Sequence, residues 1–151
     1  MSSWRDNVRK VEPYTPGEQP KEEGVIKLNT NENPYPPSPK AMEAVSQIKN
    51  LRKYPDPAAA KLTEAIASYH GLSKEEVFVG VGSDDVLAIA FMTFFNSDKP
   101  VFFPDITYSF YPVWAELFEI PYEKKALDQE FKIRIKDYAG ENGGVVFPNP
   151  N

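Results

Sequence analysis

The chain contains no cysteine and a single histidine among its 151 residues. The first absence excludes disulfides, thiolate nucleophiles, iron–sulfur clusters and cysteine-ligated zinc. The second leaves no histidine-rich metal site and disfavours triad chemistry. Long apolar runs are missing too: the longest nearly apolar stretch, residues 86–95, falls far short of the ~20 residues a membrane helix needs. The opening Met-Ser-Ser-Trp-Arg has no apolar signal segment. There is no basic excess, since 22 Asp and Glu stand against 17 Lys and Arg for a net charge of −5, with neither sign gathered in a long block. Nucleic acid and anionic membrane are therefore poor partners. A soluble, cytoplasmic protein is expected. Its chemistry falls to carboxylates, hydroxyls, amides, lysines or a borrowed cofactor.

The chain does have enough apolar material, 41% hydrophobic and 13% aromatic, for a core of ordinary size in one domain. Proline is in excess, 15 in all, of which nine precede Ala58. Proline has no backbone donor and biases its predecessor away from helix, so residues 11–20 and 29–39 should run extended over another surface. Tyr14 and Tyr35 in this arm favour packing on a body or a partner subunit over a free tail.

Beyond the arm the pattern alternates. Ser38-Pro39 reads as a helix cap followed by proline at the first helical position, with Ala41, Met42, Val45 and Ile48 at helical spacing. Leu62, Ala65, Ile66 and Tyr69 mark a second helix closed by Gly71. Residues 77–79 read as a strand, 80–83 as a tight turn and 84–95 as a helix apolar on most faces, hence buried. A strand at 101–103 and a helix at 109–118 follow, the helix with Tyr111, Trp114, Ala115 and Phe118 as inner stripe. A further strand opens at 120–122, an exposed one at 131–135, and the last at 145–147. Strand–helix alternation implies a parallel sheet in an α/β domain. A parallel sheet needs both faces covered, so a chain stopping at Asn149-Pro150-Asn151 reads as the front part of a longer one.

Two loops attract chemistry. The strand, glycine turn and helix start at 77–86 can bind an anion, because helix N-terminal amides lack intrahelical partners and the macrodipole adds ~0.3–1 kcal/mol. Ser83 offers a hydroxyl there. Asp84 and Asp85 oppose a phosphate unless their side chains turn away to cap the helix or bind another group, and a plain turn with aspartate caps is the competing reading. A dinucleotide fingerprint would need glycine where Asp85 stands, and no P-loop lysine follows. In the loop after strand 101–103, Tyr108 can lay its ring on a flat ligand or serve as a core residue with Phe110 and Tyr111. Asn29, Asn31 and Asn33 either cap turns or grip a carboxylate. Tyr54-Pro55-Asp56-Pro57 is a rigid turn, and His70 compensates a helix C-terminus.

Taken in order, Asn31-Glu32-Asn33-Pro34, Tyr54-Pro55-Asp56, Gly80-Val81-Gly82-Ser83-Asp84, Thr107-Tyr108-Ser109 and Asn149-Pro150-Asn151 resemble the fold-type I aminotransferases that use pyridoxal 5'-phosphate. The segments at 11–18 and 26–29 narrow the resemblance to the histidinol-phosphate aminotransferase branch. The resemblance implies an α/β large domain with a mixed, mostly parallel sheet flanked by helices. Residues 1–37 would be the arm and substrate-site loop, and 38–151 the first part of that domain, cut within an Asn-Pro-x-x-Pro-Thr-Gly loop. It implies that Ser83 and Asp84 hold the cofactor phosphate, that Tyr108 stacks on the pyridine ring, and that Tyr54 reaches the cofactor of a neighbouring subunit in a homodimer. Tyr14 and Asn33 would meet the substrate, while Asn151 lies at the cofactor loop short of the asparagine that directly precedes Pro-Thr-Gly. Val81, Asp85 and Pro36 depart from the usual asparagine, glutamate and glycine. No catalytic residue is assigned within 1–151: the cofactor-bearing lysine, the pyridinium-pairing aspartate and the substrate arginines belong downstream. The implied reaction is transamination of L-histidinol phosphate with 2-oxoglutarate, yielding glutamate, in histidine biosynthesis. An aromatic aminotransferase or a phosphothreonine decarboxylase shares much of the motif set. From other classes, a nucleotide-binding α/β domain and a non-catalytic fragment stand beside them.

Overall fold

Alternation of short apolar segments with helical stretches calls for parallel strands, and the chain builds them. The computed structural model describes residues 3–151. Four helices, α1 (Pro39–Ser46), α2 (Ala60–His70), α3 (Ser83–Phe94) and α4 (Phe110–Leu117), accompany three strands, β1 (Val101–Pro104), β2 (Tyr122–Lys125) and β3 (Gly144–Val145). The chain divides into two units, one made by the stretch up to Tyr14 with Gly80–Asn151, the other by Thr15–Val79.

In the first unit the strands lie in the order β2-β1-β3, all parallel, with Val101 opposite Tyr122 on one side and Gly144 on the other. The central strand, Val-Phe-Phe-Pro, is buried along its whole length, as expected of a strand covered on both faces. Phe91 from α3, Val101 and Phe103 from β1, Tyr111 and Ala115 from α4, and Ile120 form the core. Phe91 stacks on Tyr111 at 6.1 Å and meets Phe95 edge-on at 5.0 Å, while Phe103 stacks on Tyr122 at 5.2 Å. Phe91 and Phe103, fully buried, each contribute about 1.5–3 kcal/mol by leaving water. The inner stripe expected of α4 is borne out, with Tyr111 and Ala115 buried and Trp114 and Phe118 packed against the core. The chain leaves α4 through a left-handed Glu119 (φ 59°), whose amide donates to the Glu116 carbonyl while that of Ile120 donates to the Ala115 carbonyl.

The arm also belongs to this unit as far as Tyr14. A short 3-10 turn, Trp4–Asn7, is capped by the Ser3 hydroxyl. The chain then runs without regular structure, the Arg9 guanidinium donates to the Leu117 carbonyl at the end of α4, and Tyr14 stacks on Phe110 at 4.3 Å. The expectation that the arm packs on a body holds at Tyr14, whereas Tyr35 is exposed.

In the second unit, the Ser38 hydroxyl caps α1 by accepting from the Ala41 amide, with Pro39 at the first position. This helix stops at Ser46, short of Ile48. Gly71, in the left-handed region (φ 69°), closes α2 as expected. The face of α2 that is buried carries Thr63 and Ala67, not the stripe of Leu62 and Tyr69, which stays exposed.

Three expectations are corrected. Residues 77–79 are extended but pair with no strand among the described residues. Residues 131–135 are not a strand: Phe131 takes a left-handed φ of 60°, the Asp128 carboxylate gathers the amides of Glu130 and Lys132 into a turn, and a 3-10 turn, Ile135–Tyr138, follows. The α3 helix covers the sheet with one face only, burying Phe91 while Met92 and Phe94 remain exposed. The last strand also begins one residue early, at Gly144, and the Val146 amide extends its ladder to the Phe102 carbonyl.

Candidate functional site

Parallel strands end on a common edge, and the loops that leave that edge are where α/β sheets hold ligands. Two loops here converge with the start of α3. The Thr107 hydroxyl, in the loop after β1, donates to the Asn151 side-chain oxygen at 2.6 Å, and the Asn151 amide donates to the Ile106 carbonyl at 3.2 Å. One residue on, the Tyr108 hydroxyl donates to Asp84 Oδ1 at 2.5 Å. Ser83, Asp84, Tyr108 and Asn151 thus belong to one cluster, joined across long stretches of sequence.

Each position has a local cause. Gly82 precedes α3 with φ 89°, a value that L side chains rarely adopt, and it supplies no side-chain cap. A Cβ at Gly82 would meet nothing within 4 Å, so the space before the helix is open. The first amides of α3 face that opening without intrahelical partners, and the exposed Ser83 stands at the first helical position. The two aspartates that follow are both engaged. Asp84, half-buried, accepts from Tyr108, and Asp85 reaches back to accept from the Val81 amide at 3.0 Å. Their charges remain, yet each faces a donor dipole within the protein, which reduces the conflict with an anion at the helix start.

Tyr108 is half-buried, meeting Tyr111 edge-on and Phe110 at a tilt, both at 5.7 Å. Burial, and after it the hydrogen bond to Asp84 and the Asp84 charge, push its phenol well above the usual 10.0. At neutral pH it is therefore a protonated donor. Tyr14, through its stack on Phe110, stands one ring further out in the same aromatic group. The donor set of Ser83 hydroxyl, helix amides and Asn151 amide, beside an aromatic ring, suits a flat aromatic ligand that carries a phosphate.

Asn33 and Tyr54 lie in the other unit. The Asn33 side-chain oxygen accepts from the Tyr35 amide at 3.0 Å and holds a turn, while the Asn29 amide donates to the Glu18 carbonyl at 2.8 Å and ties two segments together. Lys27 donates to Thr30 and Glu32, and its charge and hydrogen bond hold the Glu32 carboxyl below its ordinary value. Tyr54 is fully exposed. Beside it, Asp56 accepts from the amides of Ala60 at 2.8 Å and Ala58 at 3.1 Å, which lowers its carboxyl and anchors the start of α2. His70 meets the Tyr69 ring edge-on at the end of α2.

Sequence reasoning gave Asp85 a capping role and Phe110 a core role without naming their partners, and gave Thr107 none of its own. Asp85 as the acceptor for Val81 had a detectable signal, an acidic residue at the third helical position, which often reaches back. The Thr107 contact to Asn151 and the Phe110 stack under Tyr14 had none, because each joins residues far apart in the chain. Among the described residues no helix is long and apolar enough to cross a membrane.

Residues 23–151 match the family model described as aminotransferase class I and II. The chain is 54% identical over 98% of its length to a histidinol-phosphate aminotransferase of Clostridium beijerinckii, of which it covers 42%. It is 56% identical to histidinol-phosphate aminotransferase 1 of Methylococcus capsulatus, with 98% of the chain and 42% of that protein covered. A histidinol-phosphate aminotransferase of Pseudomonas putida is 54% identical, with 98% and 43% covered. The chain thus spans about two-fifths of the length of the curated relatives it matches. The family model covers residues 23–151, most of the chain, and the chain belongs to the class I and II aminotransferase family.

Proposed function

We propose that the protein carrying this chain is a pyridoxal 5'-phosphate-dependent transaminase that moves the amino group of L-histidinol phosphate to 2-oxoglutarate, giving glutamate, in the cytoplasm. The observation that carries this reading is the convergence of Ser83, the free amides of α3, Tyr108 and Asn151 at one sheet edge, in a chain more than half identical to proteins of that name.

When bound, the cofactor supplies an electron sink for the carbon that loses its proton. The residues of this chain bind and orient. Ser83 donates its hydroxyl to the phosphate, and the amides of Ser83 and Asp84 face the same anion; a charge-assisted hydrogen bond of this kind contributes about 1.5–3 kcal/mol. Tyr108 would offer its ring to the pyridine and, protonated, would add no charge there. Asn151 holds the loop of Tyr108 in place through Ile106 and Thr107, and would take part in binding the cofactor from there. Tyr14 and Asn33 contribute to the substrate site, Tyr14 from an arm already packed beside the Tyr108 loop. Tyr54 extends fully exposed from a proline-stiffened turn, as suits a residue that reaches the cofactor phosphate of a partner subunit in a homodimer. Residues 1–37 serve as arm and substrate-site loop, and 38–151 as the first part of the cofactor domain. On this reading no residue within 1–151 is assigned as the lysine that carries the cofactor, the aspartate that pairs the pyridinium nitrogen or the arginines that take the substrate's carboxylate or phosphate.

Steady-state kinetics on the full-length protein loaded with pyridoxal phosphate test the reading. Histidinol phosphate should turn over with a kcat/KM well above those of phenylalanine and tyrosine. A preference for the aromatic amino acids would reassign it as an aromatic aminotransferase, and release of carbon dioxide from phosphothreonine would make it a decarboxylase.

A further inference from the structure

Asp84 is an odd neighbour for a phosphate, since a carboxylate has no proton to donate and adds a negative charge where a second one is to bind. Its side chain has a partner elsewhere. The Tyr108 hydroxyl, 24 residues on in sequence, donates to Asp84 Oδ1 at 2.5 Å, a short bond to a half-buried carboxylate. The other contacts of the Tyr108 ring are with Phe110 and Tyr111, both 5.7 Å away at an angle, and these do not fix a ring's orientation as a directional bond does. The loop backbone around it is held by Asn151, through the Ile106 carbonyl and the Thr107 hydroxyl, and by the Leu127 amide on Asp105, but none of these bonds reaches the Tyr108 ring.

We propose that Asp84 is the positioning residue for Tyr108: its carboxylate tethers the phenol and sets where the ring stands relative to the first turn of α3, while only its backbone amide serves the anion. The inference rests on Tyr108 as the residue that stacks on the cofactor ring. It divides the work of one residue between two parts. The amide at the second position of the helix attracts the phosphate, and the side chain aligns the platform for the ring attached to that phosphate, so one short helical turn registers both ends of the ligand. The raised phenol of Tyr108 fits this arrangement, because it keeps the donor protonated; Tyr14 and Tyr111 are the other titratable groups beside it.

A double-mutant cycle in the full-length protein tests it, read by pyridoxal phosphate affinity from equilibrium dialysis. Asp84→Ala and Tyr108→Phe should each weaken affinity roughly ten-fold, and the double variant should be no weaker than either single one. Asp84→Asn, which keeps an acceptor oxygen, should restore most of the loss. A double variant weakened roughly a hundred-fold, the product of the singles, would show Asp84 acting on the ligand independently of Tyr108 and overturn the proposal, as would an Asp84→Ala variant with unchanged affinity.

The second readout needs no cofactor. In an alkaline difference titration of the apo protein at the tyrosinate absorbance band, Asp84→Ala should shift the ionisation of one tyrosine downward, and the same substitution on the Tyr108→Phe background should shift none. Failure of every form to bind pyridoxal phosphate would remove the cofactor reading, and the apo titration would still decide whether Asp84 holds Tyr108.

Discussion

Ser83 and Tyr108 meet the proposed ligand by different forces, and their variants should separate accordingly. Ser83→Ala removes one charge-assisted donor and should weaken pyridoxal phosphate binding by roughly ten-fold, with thermal stability little changed because the residue is exposed. The tyrosines make an alkaline prediction. Burial raises the phenols of Tyr108, Tyr111, Tyr122 and Tyr138 above the usual 10.0. A group whose folded value is raised stabilises the fold fully below its unfolded value and loses that contribution as pH climbs towards the folded one. The melting temperature should therefore fall with increasing steepness above about pH 10, and less steeply in Tyr108→Phe, as scanning calorimetry across that range would show. Ser83 and Tyr108 were legible as candidates because glycine turns and strand ends mark ligand positions in α/β chains. The bond from Tyr108 to Asp84 was not, since no local pattern pairs residues 24 apart.

Helix ends carry the next level of control. Glu119 terminates α4 in the left-handed region at φ 59°, at the position where glycine is normally found, with both reverse hydrogen bonds of that motif in place. Glu119→Gly should stabilise the full-length protein by about 1 kcal/mol, measured as a higher denaturant midpoint with unchanged slope. At the start of α2, Asp56 accepts two backbone amides, which hold its carboxyl below the usual 3.8. Its stabilisation is present above that unfolded value and lost as pH falls through the lower folded one. Asp56→Ala should therefore melt below the unaltered protein at neutral pH, with the gap closing below about pH 3.8. Caps of this kind were readable in advance, as Ser38-Pro39 and Gly71 show, because they depend on a few adjacent residues. Strands were read less well. Phe131, Ile133 and Ile135 have the period of a strand, but Asp128 captures the amides of Glu130 and Lys132 on either side of Phe131 and turns the chain instead. Residues 77–79 have the composition of a strand, and a strand needs a neighbour that composition does not name.

At the scale of the sheet-bearing unit, Phe91 joins α3 to the core, fully buried and in contact with Phe95 just beyond its own helix and with Tyr111 from α4. Phe91→Ala should lower the unfolding free energy of the full-length protein by about 3–5 kcal/mol in urea titrations, since the rigid surround of Phe103 and Tyr111 cannot close the cavity. Composition, period and capping signals are properties of neighbouring residues, so the α/β class, the succession of the four helices, the inner stripe of α4 and the candidates Ser83 and Tyr108 all follow from the chain read in order. The β2-β1-β3 order, the burial of one face of α3 over another, the seating of Tyr14 on Phe110 and the union of Asp84, Thr107, Tyr108 and Asn151 do not. These depend on contacts between distant segments, whose energies exist only once the backbone has brought them within a few ångströms of each other.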